Sequence, residues 1–253
     1  MPAEGAGNAE HATTLPGGGG FVMAASRAVV FANGQMRNAE AIRRELLPGD
    51  LLIAADGGIR HLRRLGLHPH VLVGDLDSLP PREKRRLEAA GVRALVYPRD
   101  KDETDLELAL DLAVREGHET ILVVAPFGGR LDQTAANLLL LTREDLRHRN
   151  VRLFDGQTEA FLITGQAFLQ GQEGEAVSLL PLGGEVHNVL TRGLHYPLQG
   201  EPLRPSRTRG LSNFMSAPTA SISVGEGMLL CIHVLQRRRT GIRRRLAEGR
   251  RSR

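Results

Sequence analysis

The sequence predicts an α/β fold, in which a parallel-sheet, Rossmann-like N-terminal domain is followed by an all-β sandwich domain. Two observations support this prediction. From Arg27 to about Asn150, short apolar runs alternate with amphipathic segments, as they do in βαβ units. After Asn150 the helical period disappears, and short strand-like runs separated by Gly and Pro indicate a small antiparallel sandwich or barrel. We therefore assign 27–149 to the α/β domain and 150–236 to the β-sandwich domain.

The N-terminal domain is predicted to contain five strands and five helices. The strands are compact apolar runs, of the kind that parallel sheets bury on both faces, at 28–32, 51–55, 71–74, 94–97 and 121–125. The helices are expected near 37–47, 58–65, 81–90, 104–116 and 132–147. The candidate strands of the second domain are VRLF, EAFLIT, AVSLLPL, TASISV and MLLCIHV, and the last of these contains the single cysteine, Cys231.

The composition is that of an ordinary globular protein, with 253 residues, 41% of them apolar and 25% charged. No apolar run approaches the roughly 20 residues that cross a bilayer. Residues 1–22 contain no Lys or Arg and no apolar segment, so they do not resemble a signal peptide. One cysteine excludes an intramolecular disulfide. We therefore expect a cytoplasmic protein without a membrane partner.

Both ends of the chain, 1–26 and 237–253, are predicted to be disordered extensions. The C-terminal segment holds nine Arg and one Glu, so its local charge of +8 leaves about −4 on the remaining residues of a chain whose net charge is +4. Such a tail could touch RNA, and an RNA-binding module remains an alternative function. Because no aromatic residue accompanies the arginines, we expect a solvated tail and no nucleic-acid partner.

The stretch RDKDETDLELAL, residues 99–110, places five acidic side chains between Asp100 and Glu107. Two carboxylates about 4 Å apart repel by about 4 kcal/mol at an effective dielectric constant near 20. Thr104 and Glu107 have the spacing of a capping box, and the apolar residues that follow fit one helix face, so a helix should begin near Thr104. Asp100 and Asp102 precede that helix, so capping explains only part of the acidic run.

Polar, glycine-flanked residues follow each predicted strand of the first domain. In open α/β sheets, ligands bind outside the carboxyl ends of the strands, where these segments meet. The segments are NG at 33–34, DGG at 56–58, DLDS at 75–78, RDKDETD at 99–105 and FGGRLDQT at 127–134.

Carboxylates at this edge predict a Mg²⁺ site. Asp75 and Asp77 flank Leu76, so in an extended segment their side chains would project to the same side. With Asp105 they would offer the hard oxygen ligands that Mg²⁺ prefers. Lys101 and Arg130 are candidates for binding phosphate, the first because the chain has two lysines against 31 arginines.

Several common sites are absent from the sequence. There is no G-x-x-x-x-G-K-[ST] loop, no G-x-G-x-x-G after a strand, and no H-E-x-x-H helix motif. These absences exclude a P-loop enzyme and argue against a dinucleotide-binding domain. A magnesium-dependent phosphoesterase, phosphotransferase or nucleotidyltransferase that acts on a nucleotide remains open.

Taken in order, the motifs resemble those of the thiamine pyrophosphokinase (thiamine diphosphokinase) family over about residues 28–235. The resemblance rests on ADGG (55–58), GDLDS (74–78), DKDETD (100–105), GGRLDQ (128–133), RGLHYPL (192–198) and SNF (212–214). It implies a homodimer that transfers the terminal diphosphate of ATP to the hydroxyethyl group of thiamine and releases AMP.

The resemblance also assigns roles to residues of this chain. It implies that Asp75, Asp77 and Asp105 ligate Mg²⁺ and act in catalysis with Lys101 and Arg130. The substrate site would be lined by Asp56, Asp102, Thr104, Asp132 and Gln133, with Ser212 and Asn213 contributed by the sandwich domain of the partner subunit. An aspartate at this edge could accept the proton of the attacking alcohol. Some relatives stack thiamine on a tryptophan, which this chain lacks, and Phe214, Tyr196 or Phe127 are the candidates to replace it.

Overall fold

The structure is a computed structural model that describes residues 13–14, 27–77 and 79–236. The predictions of disorder for 237–253 and for nearly all of 1–26 therefore fall outside the described residues. The strands are β1 (Thr13–Thr14), β2 (Ala28–Phe31), β3 (Leu51–Ala55), β4 (Val71–Gly74), β5 (Arg93–Val96), β6 (Thr120–Val124), β7 (Asn150–Phe154), β8 (Thr158–Ile163), β9 (Gln166–Gln170), β10 (Ala176–His187), β11 (Leu190–Arg192), β12 (Asn213–Phe214), β13 (Thr219–Ser223) and β14 (Glu226–Val234). The helices are α1 (Ala39–Glu45), α2 (Ile59–Leu65), α3 (Pro81–Ala89), α4 (Asp105–Arg115) and α5 (Leu131–Leu139).

Eleven strands form one sheet in the order β1-β5-β4-β3-β2-β6-β7-β8-β14-β10-β12. The run from β5 to β7 is parallel, and the pairs from β7 to β12 are antiparallel. A second, antiparallel sheet has the order β11-β13-β9. The predicted fold class, a parallel α/β sheet followed by an antiparallel β-sandwich, is confirmed.

The parallel sheet is covered on both faces because alternate residues of its strands are apolar on each side. Val30 and Val123 share one core cluster with Leu110 of α4. Val29 and Leu72 point to the opposite face and share a cluster that includes residues of α1, α2 and α3. Burial of each such Val or Leu side chain contributes about 1.5–3 kcal/mol. Helices on both faces leave the strand ends as the exposed, ligand-accessible edge.

The sandwich has its own core between the two sheets. Leu179 of β10 and Cys231 of β14, in the large sheet, share a cluster with Leu169 of β9 and Ile222 of β13, in the small sheet. Cys231 is fully buried, as predicted for a strand residue. Burial raises the pKa of its thiol, with the charge of Glu159 as a lesser cause, so this cysteine is a core residue and not a reactive thiol.

Two predicted boundaries differ from the structure. Helix α5 was expected to reach residue 147, but it ends at Leu139 and continues as a single 3-10 turn to Thr142. Arg143 then pairs with Asp111 of α4 and with Asp145 at 2.5 and 2.7 Å, which holds the chain in a turn. The other difference is that β7, which lies beyond the proposed boundary at 149/150, pairs in parallel with β6 and so extends the first sheet. The division into domains stays a prediction.

Candidate active site

Five loops meet along the carboxyl edge of the parallel sheet, in the spatial order given by β5-β4-β3-β2-β6. The loop after β5 carries Lys101 and leads into Asp105, the first residue of α4. The loop after β4 carries Asp75, and Asp56 directly follows β3. The predicted acidic residues are thus delivered to neighbouring strand ends, as the alternation of strands and helices required.

Asp56, Asp75 and Asp105, which we call the acid cluster, surround the backbone of Gly74. A Cβ atom placed on Gly74 would lie 3.3 Å from Oδ1 of Asp105 and 3.3 Å from Cβ of Asp56, and the φ of this glycine is 145°. Glycine at this position therefore leaves room for two acidic side chains to approach. Burial raises the pKa of Asp105, the charges of Asp56 and Asp75 raise it further, and Lys101 opposes the shift without cancelling it.

Lys101 is the cation closest to Asp105. Its Nζ lies 2.9 Å from Oδ1 of Asp105 and 3.3 Å from the carbonyl oxygen of Pro98, and its side chain is only 13% exposed. The two groups form an ion pair, and Oδ1 of Asp105 is buried from solvent. One of the two lysines of the chain thus pairs with the acid cluster, and its role in binding phosphate stays a prediction.

The expectation that Asp75 and Asp77 lie in an extended segment is wrong. Leu76 between them has a φ of 56° and is buried, so the chain turns there. Oδ1 of Asp75 accepts a hydrogen bond from the backbone N–H of Asp77 at 3.0 Å, and Asp77 is exposed. The side chain of Leu76 packs in the apolar core, and the chain turns at this residue. The D-x-D pattern does not reveal this packing.

The loop after β6 carries an exposed ion pair. Arg130 donates to both carboxylate oxygens of Asp132, at 3.1 and 2.5 Å, and each partner shifts the pKa of the other toward the charged form. Asp132 also accepts from the backbone N–H of Gln133, whose side chain is exposed. These three predicted residues lie together at the start of α5, with Arg130 at its N-cap.

Two further predicted residues lie at the start of α4. Thr104 is the N-cap, and its hydroxyl accepts from the backbone N–H of Glu107 at 3.2 Å, which confirms the predicted helix start. The carboxylate of Glu107 lies 3.6 Å from Arg143, so it also serves to fix that arginine. Asp102 is exposed.

Among the described residues, no group of three or more His, Cys, Asp or Glu side chains already has the arrangement of a metal site. The acid cluster nevertheless fits a hard divalent cation in its chemistry, because it offers carboxylate oxygens that lie close enough for the charges of Asp56 and Asp75 to raise the pKa of Asp105.

Comparisons with known proteins agree with this geometry. Residues 43–154 match the family model described as thiamin pyrophosphokinase, catalytic domain, and residues 167–229 match thiamin pyrophosphokinase, vitamin B1 binding domain. The thiamine pyrophosphokinase of Bacillus subtilis is 30% identical over 184 residues, which cover 72% of this chain and 86% of the relative. The chain belongs to the thiamine pyrophosphokinase family.

Other members of the thiamine pyrophosphokinase family show the same relationship. The thiamine pyrophosphokinase 1 of Oryza sativa subsp. japonica is 25% identical over 182 residues, which cover 67% of each chain. The crystal structure of the Bacillus subtilis thiamine pyrophosphokinase superposes with a TM-score of 0.74 and 25% identity, covering 83% of this chain and all of that one. The likeness therefore extends over both sheets.

Ser212 and Asn213 lie within the match to the vitamin B1 binding domain, but far from the acid cluster. Ser212 immediately precedes β12, and Asn213 is its first residue. In the large sheet, β12 lies eight strand positions from β4. At about 4.8 Å per strand this separation is on the order of 35–40 Å. Within one chain, the structure does not bring Ser212 or Asn213 to the acid cluster.

The side chain of Asn213 is largely engaged in holding its own loop. It is 5% exposed, accepts from the backbone N–H of Tyr196 at 3.0 Å and donates to the carbonyl oxygen of Tyr196 at 2.7 Å. This places the 192–198 motif against β12. His195 stacks on Phe214 with ring centroids 4.3 Å apart, and Tyr196 meets Phe214 edge-on at 5.8 Å. Two of the three candidate aromatic residues thus form one cluster beside Ser212, and Phe127 instead lies partly buried against the core of the α/β domain.

Sequence reasoning missed the residues that organise the end of β2. Arg60 donates to the carbonyl oxygens of Asn33 and Gly34 at 2.6 and 2.7 Å, and the exposed Gln35 follows them in the same loop. The Asn-Gly pair at 33–34 predicted a turn here. Its position directly after a central strand was the sequence signal that could have identified this loop as part of the candidate site.

Proposed function

We propose that the protein is a thiamine diphosphokinase that transfers diphosphate from ATP to thiamine, giving thiamine diphosphate and AMP. The observation that supports this most directly is that both family domains occur in order and that the catalytic match, 43–154, contains the whole acid cluster. The alternatives, another magnesium-dependent enzyme or an RNA-binding module, gain no comparable support.

In the proposed reaction, the hydroxyl oxygen of thiamine forms a bond to the β-phosphorus of ATP. The bond from that phosphorus to the oxygen shared with the α-phosphate breaks, AMP leaves with the electron pair, and the hydroxyl proton passes to a base at the site. Such transfers depend mainly on positioning and on charge neutralisation. Lys101 and Arg130 would contribute the positive charges, and Asp56, Asp102, Thr104, Asp132 and Gln133 would line the substrate site.

Asp75, Asp77 and Asp105 would hold Mg²⁺, and Asp56 lies close enough to Asp105 to take part. A bound Mg²⁺ would neutralise charge on the phosphate oxygens and orient the diphosphate. The burial of Oδ1 of Asp105 and the charges of Asp56 and Asp75 beside it support a cation at the acid cluster, whereas the exposed Asp77 is included on the family resemblance.

We further propose that the working form is a homodimer in which Ser212 and Asn213 of one protomer face the acid cluster of its partner. Their separation from the acid cluster within one chain supports this arrangement. The proposal of a cytoplasmic location rests on the sequence. Within residues 27–77 and 79–236, no helix is long and apolar enough to cross a membrane.

The direct test is product identification after incubation with thiamine, ATP and Mg²⁺. We expect AMP and thiamine diphosphate in equal amounts. ADP with thiamine monophosphate, or nucleotide hydrolysis that does not need thiamine, would contradict the proposed reaction and favour another phosphotransferase or a phosphoesterase.

The dimer is tested by mixing two inactive variants, Asp75→Asn and Asn213→Ala, after subunit exchange. If each site uses both protomers, half of the dimers are mixed and each mixed dimer has one intact site, so roughly one quarter of the normal activity returns. Size-exclusion chromatography confirms that both variants dimerise. Dimers that form but regain no activity would show that each chain builds its own site.

A further inference from the structure

The loop after β2 lies where the order of the parallel strands reverses. From β2 the chain continues to β3, β4 and β5 on one side, and it returns to place β6 on the other side of β2. Ligands of open α/β sheets bind in the crevice at this reversal. Gln35 from the β2 loop and Gly128 and Gly129 from the β6 loop lie at that crevice.

The backbone of this loop is held from two sides. Gly34 and Gln35 donate their N–H groups to the carbonyl oxygens of Ala125 and Phe127, at 2.9 and 2.6 Å. The carbonyl oxygen of Gly34 is contacted by Arg60 at 2.7 Å and by Nε2 of His61 at 3.0 Å. Burial is the main reason that the pKa of His61 is lowered, so a neutral imidazole can donate there. The loop therefore presents Gln35 in a fixed position, which is what recognition requires.

The side chain of Gln35 extends across the crevice. A Cβ atom on Gly128 would lie 2.6 Å from Cγ and 2.7 Å from Cδ of Gln35, so the glutamine rests directly on the glycine backbone. A Cβ atom on Gly129 would meet nothing within 4 Å, which shows open space beside it. The Gln35 side chain is exposed, and its carboxamide makes no hydrogen bond with the described part of the chain.

A carboxamide offers one acceptor and one donor side by side. That pair complements an exocyclic amino group next to a ring nitrogen, which is how Gln and Asn recognise adenine. Adenine and thiamine share this pattern, because each contains a 4-aminopyrimidine ring. The crevice is two to three strand positions from Asp75, or roughly 10–15 Å, which suits the ring end of a substrate whose reacting group lies at the acid cluster.

We propose that Gln35 is a specificity-determining residue that binds the 4-aminopyrimidine edge of a substrate through its carboxamide. This inference rests on the proposed function and deepens it. The ring belongs either to ATP or to thiamine, and the same experiment separates these two sources.

The experiment measures kcat/KM for four substrates with the full chain and its variants. GTP replaces ATP, and oxythiamine replaces thiamine, because each analogue has an oxo group and a ring N–H where the natural substrate has an amino group and a ring nitrogen. Gln35→Ala should reduce the preference for one amino substrate over its oxo analogue by roughly 5- to 150-fold, the range for one bidentate contact. Gln35→Glu, which only accepts hydrogen bonds when ionised, should lose the hydrogen bond to the ring nitrogen and so lower kcat/KM for that same amino substrate.

Gln166→Ala and Gln166→Glu are the matched controls, because Gln166 is an exposed glutamine on β9, far along the second domain. A change in the ATP:GTP ratio alone identifies the adenine ring, and a change in the thiamine:oxythiamine ratio alone identifies the aminopyrimidine. The inference is overturned if both ratios in the Gln35 variants equal those of the unsubstituted protein, or if that protein shows no preference for either amino substrate. Product formation with neither nucleotide would instead refute the proposed function.

Discussion

Replacing His233 with Ala should destabilise the protein strongly and in a pH-dependent way. His233 is fully buried on β14 between two carboxylates, with Nδ1 3.1 Å from Glu159 and Nε2 2.9 Å from Glu175. Burial alone would lower the pKa of His233, but the hydrogen bonds and charges of Glu159 and Glu175 outweigh it, and the pKa is raised. The histidine is therefore the cation of a buried ionic network.

The structure sets the size of the effect. Without His233, the carboxylate of Glu159 keeps its contact with Arg152 at 3.1 Å. Among the described residues, the carboxylate of Glu175 then keeps one hydrogen-bond donor, the backbone N–H of Gln236 at 2.8 Å. Breaking a buried ion pair costs about 3–5 kcal/mol, which is a large part of the 5–15 kcal/mol typical of a folded domain. At about 2–4 °C per kcal/mol for a chain of this size, the melting temperature should fall by roughly 6–20 °C.

The pH dependence has a definite sign. Because the pKa of His233 is higher in the folded state, the ion pair contributes fully below the unfolded pKa of about 6.5 and is lost as the pH rises through the folded pKa. The cost of His233→Ala should therefore be near 3–5 kcal/mol at pH 6 and smaller at pH 9, falling toward about 1–3 kcal/mol as the folded-state ring loses its proton.

Urea unfolding of the unsubstituted protein and the variant at both pH values measures these free energies. His68→Ala is the control, because His68 is exposed, and it should change the free energy of unfolding by less than about 0.5 kcal/mol at either pH. Equal costs of His233→Ala at pH 6 and pH 9 would refute the assignment of a charged histidine.

Three further outcomes follow from the site and the chain. Asp75→Asn should lower turnover by on the order of 100-fold or more without changing the far-ultraviolet circular dichroism, and near-normal turnover would remove Asp75 from the proposed metal site. Gly34→Ala should cost about 1–3 kcal/mol and lower activity, because its Cβ would lie 2.4 and 2.5 Å from the carbonyl oxygens of Phe127 and Ala125. Gly165→Ala, where a Cβ meets nothing within 4 Å, is its control, and equal melting temperatures would contradict the reasoning. Deleting residues 237–253 should leave kcat/KM for thiamine unchanged, and lost activity would show that the arginine-rich tail takes part in the reaction.

The sequence predicted the strands of the first domain well because parallel strands are buried on both faces. An apolar run such as 71–74 or 121–125 is then a strand wherever helices flank it, and the observed strands agree to within one residue. Helix ends were harder to predict. The apolar residues 138–141 continue the helical pattern, but Arg143 binds Asp111 and Asp145, and this tertiary contact turns the chain.

The candidate site was likewise predicted only in part from the sequence. The acidic motifs located Asp56, Asp75 and Asp105 at one edge, because parallel strands bring their carboxyl ends together. The motifs did not reveal that Asn213 is engaged with the backbone of Tyr196, since that contact joins residues 17 positions apart. Gln35 was missed because an exposed glutamine after a strand has no pattern of its own.

Helix capping explains only part of the acidic stretch at 99–110, and the surroundings of Asp105 distinguish it from the other acids. Thr104 caps α4, and the acids at the start of that helix are favoured by its dipole. Other buried acids of the fold have close cationic partners: Asp50 pairs with Arg27 at 2.7 Å and Asp155 with Arg37 at 3.0 Å. Asp105 also has a cationic partner, Lys101 at 2.9 Å, but burial and the charges of Asp56 and Asp75 raise its pKa despite that lysine. The lysine therefore does not fully offset the three neighbouring carboxylates, and a divalent cation bound with substrate would favour the ionised form of Asp105.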